Sequence, residues 1–173
     1  METKTNTLKK AVIGMILSVV LIVIDQMTKL MAIHELMNQQ PFVILDGIFE
    51  LHYLENRGAA FGILQGKKVF FIIFTILVLA FIAYIYLKRI PDEKKFRLLD
   101  GICILFFAGA LGNFIDRVFR NYVVDFFYFK LIDFPIFNVA DIYVTVAAFA
   151  MIILGLFYYK EDDYNNIFPA KKK

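Results

Sequence analysis

VFFIIFTILVLAFIAYIYL, Val69 to Leu87, runs for nineteen residues without a charge, a proline or a glycine. A bilayer's hydrocarbon core takes roughly 20 mostly apolar residues as a single helix, so this stretch reads as a membrane span. Working outward, three more segments have the same length and character: about Ala11 to Ile33, about Leu98 to Val118, and about Asn138 to Tyr159. The composition of the 173 residues agrees. Some 60% are hydrophobic and the mean hydropathy is +0.67, above the roughly half-apolar make-up of soluble domains. Twenty Phe and nine Tyr, with no Trp, supply bulk for a helix bundle and anchors at its interfaces. The fold class expected is an all-α membrane protein. It is a four-transmembrane-helix bundle forming one domain over 1–173, with an outer subdomain at 34–68.

Lys4, Lys9 and Lys10 before an apolar run resemble a signal peptide. No small-x-small cleavage site follows, and Asp25, Gln26, Thr28 and Lys29 come next, so the segment reads as a retained first helix. Basic residues set the orientation. The N-terminus, the connection Lys88–Arg97 and the C-terminal tail hold twelve, including Lys160 and Lys171 to Lys173; the other side holds seven. Both termini are therefore expected in the cytoplasm, and the connections His34–Lys68 and Phe119–Phe137 outside. In the first of these, Phe42–Leu45 and Ile48–Glu55 read as two strands around the hairpin signal Asp46-Gly47. The GAAFGIL that follows suits a segment lying at the interface. A net charge of +3 with no basic block in the body of the chain argues against nucleic acid as a partner. The lone Cys103 reads as a small core residue.

Ionisable groups at membrane depth are costly and each needs a reason. Asp25 and Lys29, four apart, can pair on one face. Asn113, Asp116 and Arg117 share a face of the third helix. There Asp116 and Arg117 can join an ion-paired network with the first helix, and Ala108 and Gly112 allow close helix approach. Asn56 and Arg57 read equally as a polar binding element or as a turn with Gly58 and Gly62. Asp125 stands between apolar neighbours, where desolvation would raise its pKa. Asn138 reads as an N-cap, and Asp141 alone reads as a first-turn acid. Together, the informative polar groups gather at the outer ends of the first, third and fourth helices.

Most hydrolytic chemistries lack their residues. Ser18, the only serine, is mid-helix and far from His34 and His52, and no HExxH spacing, P-loop or dinucleotide fingerprint occurs. Paired carboxylates remain. Two that share a site split their pKa values, so one activates water while the other polarises a carbonyl, with no metal or cofactor. A proton-conducting bundle and an assembly factor are the rivals. The first predicts acids throughout the membrane depth, the second tolerance of Asn at Asp125 and Asp141. A presenilin-type protease would carry GxGD, which is missing.

DQMTK (Asp25–Lys29), ENRGAAFG (Glu55–Gly62), GALGNFIDR (Gly109–Arg117), VVDF (Val123–Phe126) and FNVAD (Phe137–Asp141) closely resemble, in order, the motifs of lipoprotein signal peptidase, the bacterial type II signal peptidase. The resemblance covers the chain apart from its charged ends. It implies an aspartic endopeptidase of the bacterial cytoplasmic (inner) membrane. Such an enzyme cuts signal peptides from diacylglyceryl-modified prolipoproteins just before the lipidated cysteine, is blocked by globomycin and needs no metal or other cofactor. By the same resemblance Asp125 and Asp141 are the catalytic pair. Asn56, Gly58, Asn113, Arg117 and Asn138 line the substrate and inhibitor site, while Asp25, Lys29 and Asp116 support it. The partners implied are lipid-modified substrates and membrane lipids, met by a monomer. The stretch between VVDF and FNVAD is slightly short for the family and carries Lys130 and Asp133.

Overall fold

The computed structural model describes residues 2–58 and 66–169. Helix α1 (Glu2–Leu36) is followed by strands β1 (Phe42–Leu45) and β2 (Phe49–Asn56). Then come α2 (Lys68–Tyr84), α3 (Arg97–Phe119), β3 (Val123–Tyr128), α4 (Val139–Phe157) and a short α5 (Glu161–Ile167). Among the described residues, four helical stretches are long and apolar enough to cross a membrane: Thr7–Leu36, Lys68–Arg89, Lys94–Phe119 and Val139–Phe157. They match the four spans read from the sequence, and α1 begins nearer the N-terminus than expected. Apart from Gly58, the expected interfacial segment GAAFGIL lies outside the described residues, as do Lys171 to Lys173.

Helix α3 is the spine. α1, α2 and α4 all pack on it, while no substantial packing joins α2 to α4. The close approaches follow from glycine. A Cβ on Gly109 would meet the Ala140 carbonyl oxygen at 2.6 Å, and one on Gly112 would meet Asp25 Oδ2 at 2.6 Å. So the Ala108/Gly112 pair is only half of the small-residue face, and Gly109 sets the α3–α4 contact. Helix α2 buries none of its residues, which leaves its Phe, Ile and Leu side chains for lipid. It ends in a π turn, Ile85–Arg89, that carries Tyr86 inward against Gly14. Pro91 follows and stops the helix.

The sheet is antiparallel in the order β1-β2-β3. Gly47 has φ +67 in the hairpin turn, the conformation glycine tolerates. Strand β3 was not among the expected elements. It is buried on both faces over Val123–Phe126, so it lacks the alternation by which a half-exposed strand is recognised. It pairs with β2 through Leu54↔Asp125, Glu55↔Val124 and Asn56↔Val123. After it, Tyr128 Oη donates to Asp133 Oδ1 at 2.7 Å and Lys130 pairs with Glu50 at 2.6 Å. Those contacts give the short connection before α4 its shape. Two small cores result. Ala32, Leu36, Val124 and Phe126 lie under the sheet, and Tyr86, Phe96, Cys103, Tyr159 and Ile167 lie at the opposite end. Cys103 is the buried core residue expected.

Candidate active site

An ion cluster lies under the sheet. Asp25 and Lys29 pair across one turn of α1 at 2.9 Å, and Lys29 also meets Asp116 of α3 at 3.1 Å. All three side chains are fully buried. Arg120 pairs with Asp116 and donates to Gln26 Oε1 at 3.0 Å. Gln26 Nε2 lies 3.1 Å from Asp25 Oδ2, 3.2 Å from Asp116 Oδ1 and 3.2 Å from the Gly112 carbonyl. Two carboxylates and two cations therefore balance, with an amide laced between them, as buried charges require. The expected partnership of Asp116 with α1 is present, but Arg117 is not its cation. Arg117 diverges from Asp116 toward α2. It stacks over Phe71 at 4.8 Å and donates to the Gly58 carbonyl at 3.0 Å and to the Asn113 carbonyl at 3.4 Å. The joining cation is Arg120, which the sequence reading had only counted among the basic residues.

Asp125 and Asp141 are held differently. Asp125 leaves β3 at a register opposite Leu54, and Asp141 leaves the first turn of α4. Asn56 Nδ2 donates to Asp125 Oδ2 at 2.9 Å and Asn138 Nδ2 donates to its Oδ1 at 2.6 Å. Asn113 Nδ2 donates to Asp141 Oδ1 at 2.8 Å, and the Asn138 backbone N–H donates to its Oδ2 at 3.1 Å. Each carboxylate oxygen thus has an amide donor. Among the described residues no cation forms an ion pair with either aspartate. Burial, and then the charge of Asp141, push the Asp125 carboxyl up to about 7, while the Asn56 and Asn138 hydrogen bonds and Lys29 pull it down.

Asn138 is the hub. As the expected N-cap it accepts from the Asp141 backbone N–H at 3.1 Å and completes a capping box with the Asp141 side chain. Its Nδ2 meanwhile serves Asp125, and lies 3.2 Å from Asn113 Oδ1. Capping alone would leave that amide in water, yet here it is fully buried. Asn56 holds the edge of the site, its Oδ1 accepting from the Gly58 backbone N–H at 3.0 Å. Every predicted site residue thus falls in one connected array. Gln26 and Arg120 were missed as members. Gln26 stood in the DQMTK stretch, and Arg120 lies four residues after Asp116, a spacing that invites pairing.

The expectation that informative polar groups gather only at one end is corrected. Lys10 and Asp100 form a buried pair at 2.7 Å at the opposite end, where Lys10 Nζ also donates to the Ile90 carbonyl at 3.1 Å and Tyr86 Oη donates to the Lys10 carbonyl at 2.9 Å. The partners are too far apart in sequence for spacing to reveal them. A cavity of about 620 Å³ opens nearby between α1, α3 and α4, lined by Leu17, Val20, Gly101, Leu105 and Ala150 among others. None of the site residues lines it, so its place in the fold is separate from the aspartates.

Residues 17–157 match the family model Peptidase_A8, signal peptidase (SPase) II. A lipoprotein signal peptidase of Clostridium novyi (strain NT) is 41% identical over 143 residues, covering 81% of this chain and 93% of the relative. One from Streptococcus pyogenes serotype M5 (strain Manfredo) is 39% identical over 152 residues, covering 87% and 96%. Two solved structures of a bacterial membrane enzyme, obtained by the in meso method, are similar in fold. The first, at 2.3 Å resolution, has a TM-score of 0.71 at 34% identity and covers 92% of this chain and 94% of the other. The second, at 1.9 Å, has a TM-score of 0.73 at 36% identity and covers 84% and 94%.

Proposed function

Because the chain belongs to the signal peptidase II family, multi-pass membrane aspartic peptidases that process prolipoproteins, we propose that Asp125 and Asp141 are its catalytic pair. The observation that carries this is the treatment of the two aspartates: Asp125 buried and Asp141 partly buried, neither paired with a cation among the described residues, and each supplied on every oxygen with an amide donor. A structural pair would be neutralised, as Asp25 and Asp116 are. Like charges in one site keep one proton between them, so the reacting form is the singly protonated dyad. Its ionised carboxylate takes a proton from water as the water oxygen attacks the scissile carbonyl. Its protonated carboxyl donates to the carbonyl oxygen. Collapse of the tetrahedral intermediate returns a proton to the leaving nitrogen and breaks the C–N bond, leaving a new carboxyl end and a free amine. Asn56, Asn113 and Asn138 hold the carboxyl planes. Arg117 and Gly58 shape the rim where the substrate backbone lies.

The route we propose to the aspartates is the flank of α3 between α2 and α4. Arg117, one turn beyond Asn113, lies over Phe71 of α2, and among the described residues no substantial packing joins α2 to α4. A signal-peptide helix can reach that gap laterally from the bilayer, with the diacylglyceryl chains remaining in lipid. The substrate is a diacylglyceryl-modified prolipoprotein, cut before the lipidated cysteine, and a globomycin-type cyclic peptide occupies the same space. Every residue invoked comes from one chain, consistent with a working monomer. The excess of basic residues at the termini and the α2–α3 connection supports cytoplasmic termini in a bacterial inner membrane, with the sheet and dyad near the outer surface.

The test is cleavage of a lipid-modified prolipoprotein by detergent-purified protein, alongside Asp125→Asn and Asp141→Asn. Loss of nearly all activity in both variants, with unchanged melting behaviour, is the expected result. A folded variant that still cuts ends the assignment.

A further inference from the structure

The two carboxylates of the ion cluster have a second occupation. Asp25 Oδ1 accepts from the backbone N–H of Ala140 at 2.9 Å, and Asp116 Oδ2 accepts from the backbone N–H of Val124 at 3.2 Å. Ala140 immediately precedes Asp141, and Val124 immediately precedes Asp125. Each buried carboxylate thus grips the backbone N–H of the residue before one of the paired aspartates, one on α4 and one on β3. The two grips are themselves joined. Lys29 Nζ bridges Asp25 and Asp116, and Gln26 Nε2 spans the same two side chains. Lys29 also donates to Asn113 Oδ1 at 2.8 Å, which fixes that amide with its Nδ2 toward Asp141. Strand β3 and the helix α4 that follows it are thereby held at one separation by a short, fully buried chain of bonds.

We propose that Asp25 and Asp116, cross-linked by Lys29 and Gln26, are positioning residues that set the spacing of the Asp125–Asp141 pair through the backbone N–H of the residue preceding each. The proposal rests on the dyad reading above and adds to it a mechanical cause for the dyad's geometry. Neither anchor reaches the space in front of the dyad. Their effect is on how strongly the two aspartates repel, and so on how far apart their protonation steps lie. The charged groups that act on the pair are Lys29 and Asp25 from α1 and Arg117 from α3. Loosening an anchor lets the aspartates separate, which brings the two protonation steps together and costs alignment of the attacking water.

The experiment measures kcat, KM and the pH profile of kcat/KM on a lipid-modified prolipoprotein, with active enzyme counted by globomycin titration. The variants are Asp116→Ala, Asp116→Asn and Gln26→Leu. Displacement of a reacting group by about 1 Å costs roughly 10²-fold in rate, so Asp116→Ala is expected to lose kcat on that scale with KM little changed. Its basic limb should move to lower pH. Asp116→Asn still offers an oxygen to the Val124 N–H and should recover much of the loss. Gln26→Leu removes a cross-link without unpairing a charge. It should show a smaller fall in kcat with the same direction of shift, and it carries the test if Asp116→Ala does not fold. A loss of active enzyme with an unmoved pH profile, or a rise in KM alone, overturns the proposal. Asp125→Asn and Asp141→Asn in the same assay separate the two failures. If they are inactive while the anchor variants are normal, only the anchoring is wrong; if they cut, the dyad reading itself falls.

Discussion

Two groups of aspartates lie side by side in this bundle, and the protein treats them in opposite ways. Asp25 and Asp116, both fully buried, are matched by Lys29 and the partly exposed Arg120, so that the cluster carries no net charge. Asp125 and Asp141 receive neutral amides from Asn56, Asn113 and Asn138 and no direct cation. Ion pairing removes the tendency to change protonation state. Amide donors hold a carboxylate in place and leave its proton free to come and go. In the proposed reading the difference between support and chemistry is in the partners, since all four side chains are aspartate, three of them buried and Asp141 partly so.

The sharpest way to break this comparison is to neutralise one aspartate from each group. Asp125→Asn or Asp141→Asn is expected to cost at least about 10³-fold in kcat, in line with loss of general acid–base catalysis, while stability by thermal melt holds or rises. Lys29→Met should do the reverse in kind. It leaves Asp25 with no cation and Asp116 with Arg120 alone, and breaking a buried pair in this way costs about 3–5 kcal/mol, read as a lowered unfolding midpoint in detergent. Activity should fall with it. Equal stability in Lys29→Met would mean that the cluster is not the neutralised unit described.

A smaller effect is expected at the far end of the bundle, where Lys10 and Asp100 form a buried pair with no link to the dyad. Lys10→Met alone should destabilise. The double variant Lys10→Met with Asp100→Asn should recover to within about 1–2 kcal/mol of the parent, because buried pairs add little once both charges go. Both should keep the parent's kcat and KM per folded molecule. A changed pH profile there would couple the two ends and contradict the separation.

The finest test is titration. With Asp125 pushed up to about 7, the native chain binds more protons than the unfolded chain between about pH 4 and about 7. This group's contribution to stability is therefore full at low pH, declines as pH rises through that window, and is flat above it. Asp125→Asn should abolish that slope. The basic limb of kcat/KM belongs in the same region. Asn56→Ala removes a hydrogen bond that lowers Asp125, so the limb should move upward by a fraction of a pH unit. A downward movement would show that Asn56 acts on the neutral carboxyl instead.

Much of this was legible beforehand, and the reason differs from element to element. The four spans follow from long apolar runs, because lipid forces every backbone group into an internal hydrogen bond. The Asp46-Gly47 hairpin follows from the positive φ that glycine tolerates. The pairing of Asp25 with Lys29 and the capping by Asn138 follow from helical spacing and local chain geometry. Strand β3 left no alternating pattern because both its faces are covered. The polar, seven-residue α5 carries no amphipathic repeat long enough to read.

What the sequence determined alone is local: which segments enter the bilayer, which turns close, and which side chains are too polar for their surroundings. What only the tertiary structure decided is partnership between distant segments. Lys29 and Gln26 of α1 meet Asp116 of α3, Lys10 finds Asp100, and the Asn138 amide caps its helix while its nitrogen serves Asp125. Hydropathy and helical periodicity act over a few turns. Hydrogen bonds and ion pairs in a dry interior act between whatever groups the packing of α1, α3, β3 and α4 brings to bonding distance, and no spacing along the chain encodes that meeting.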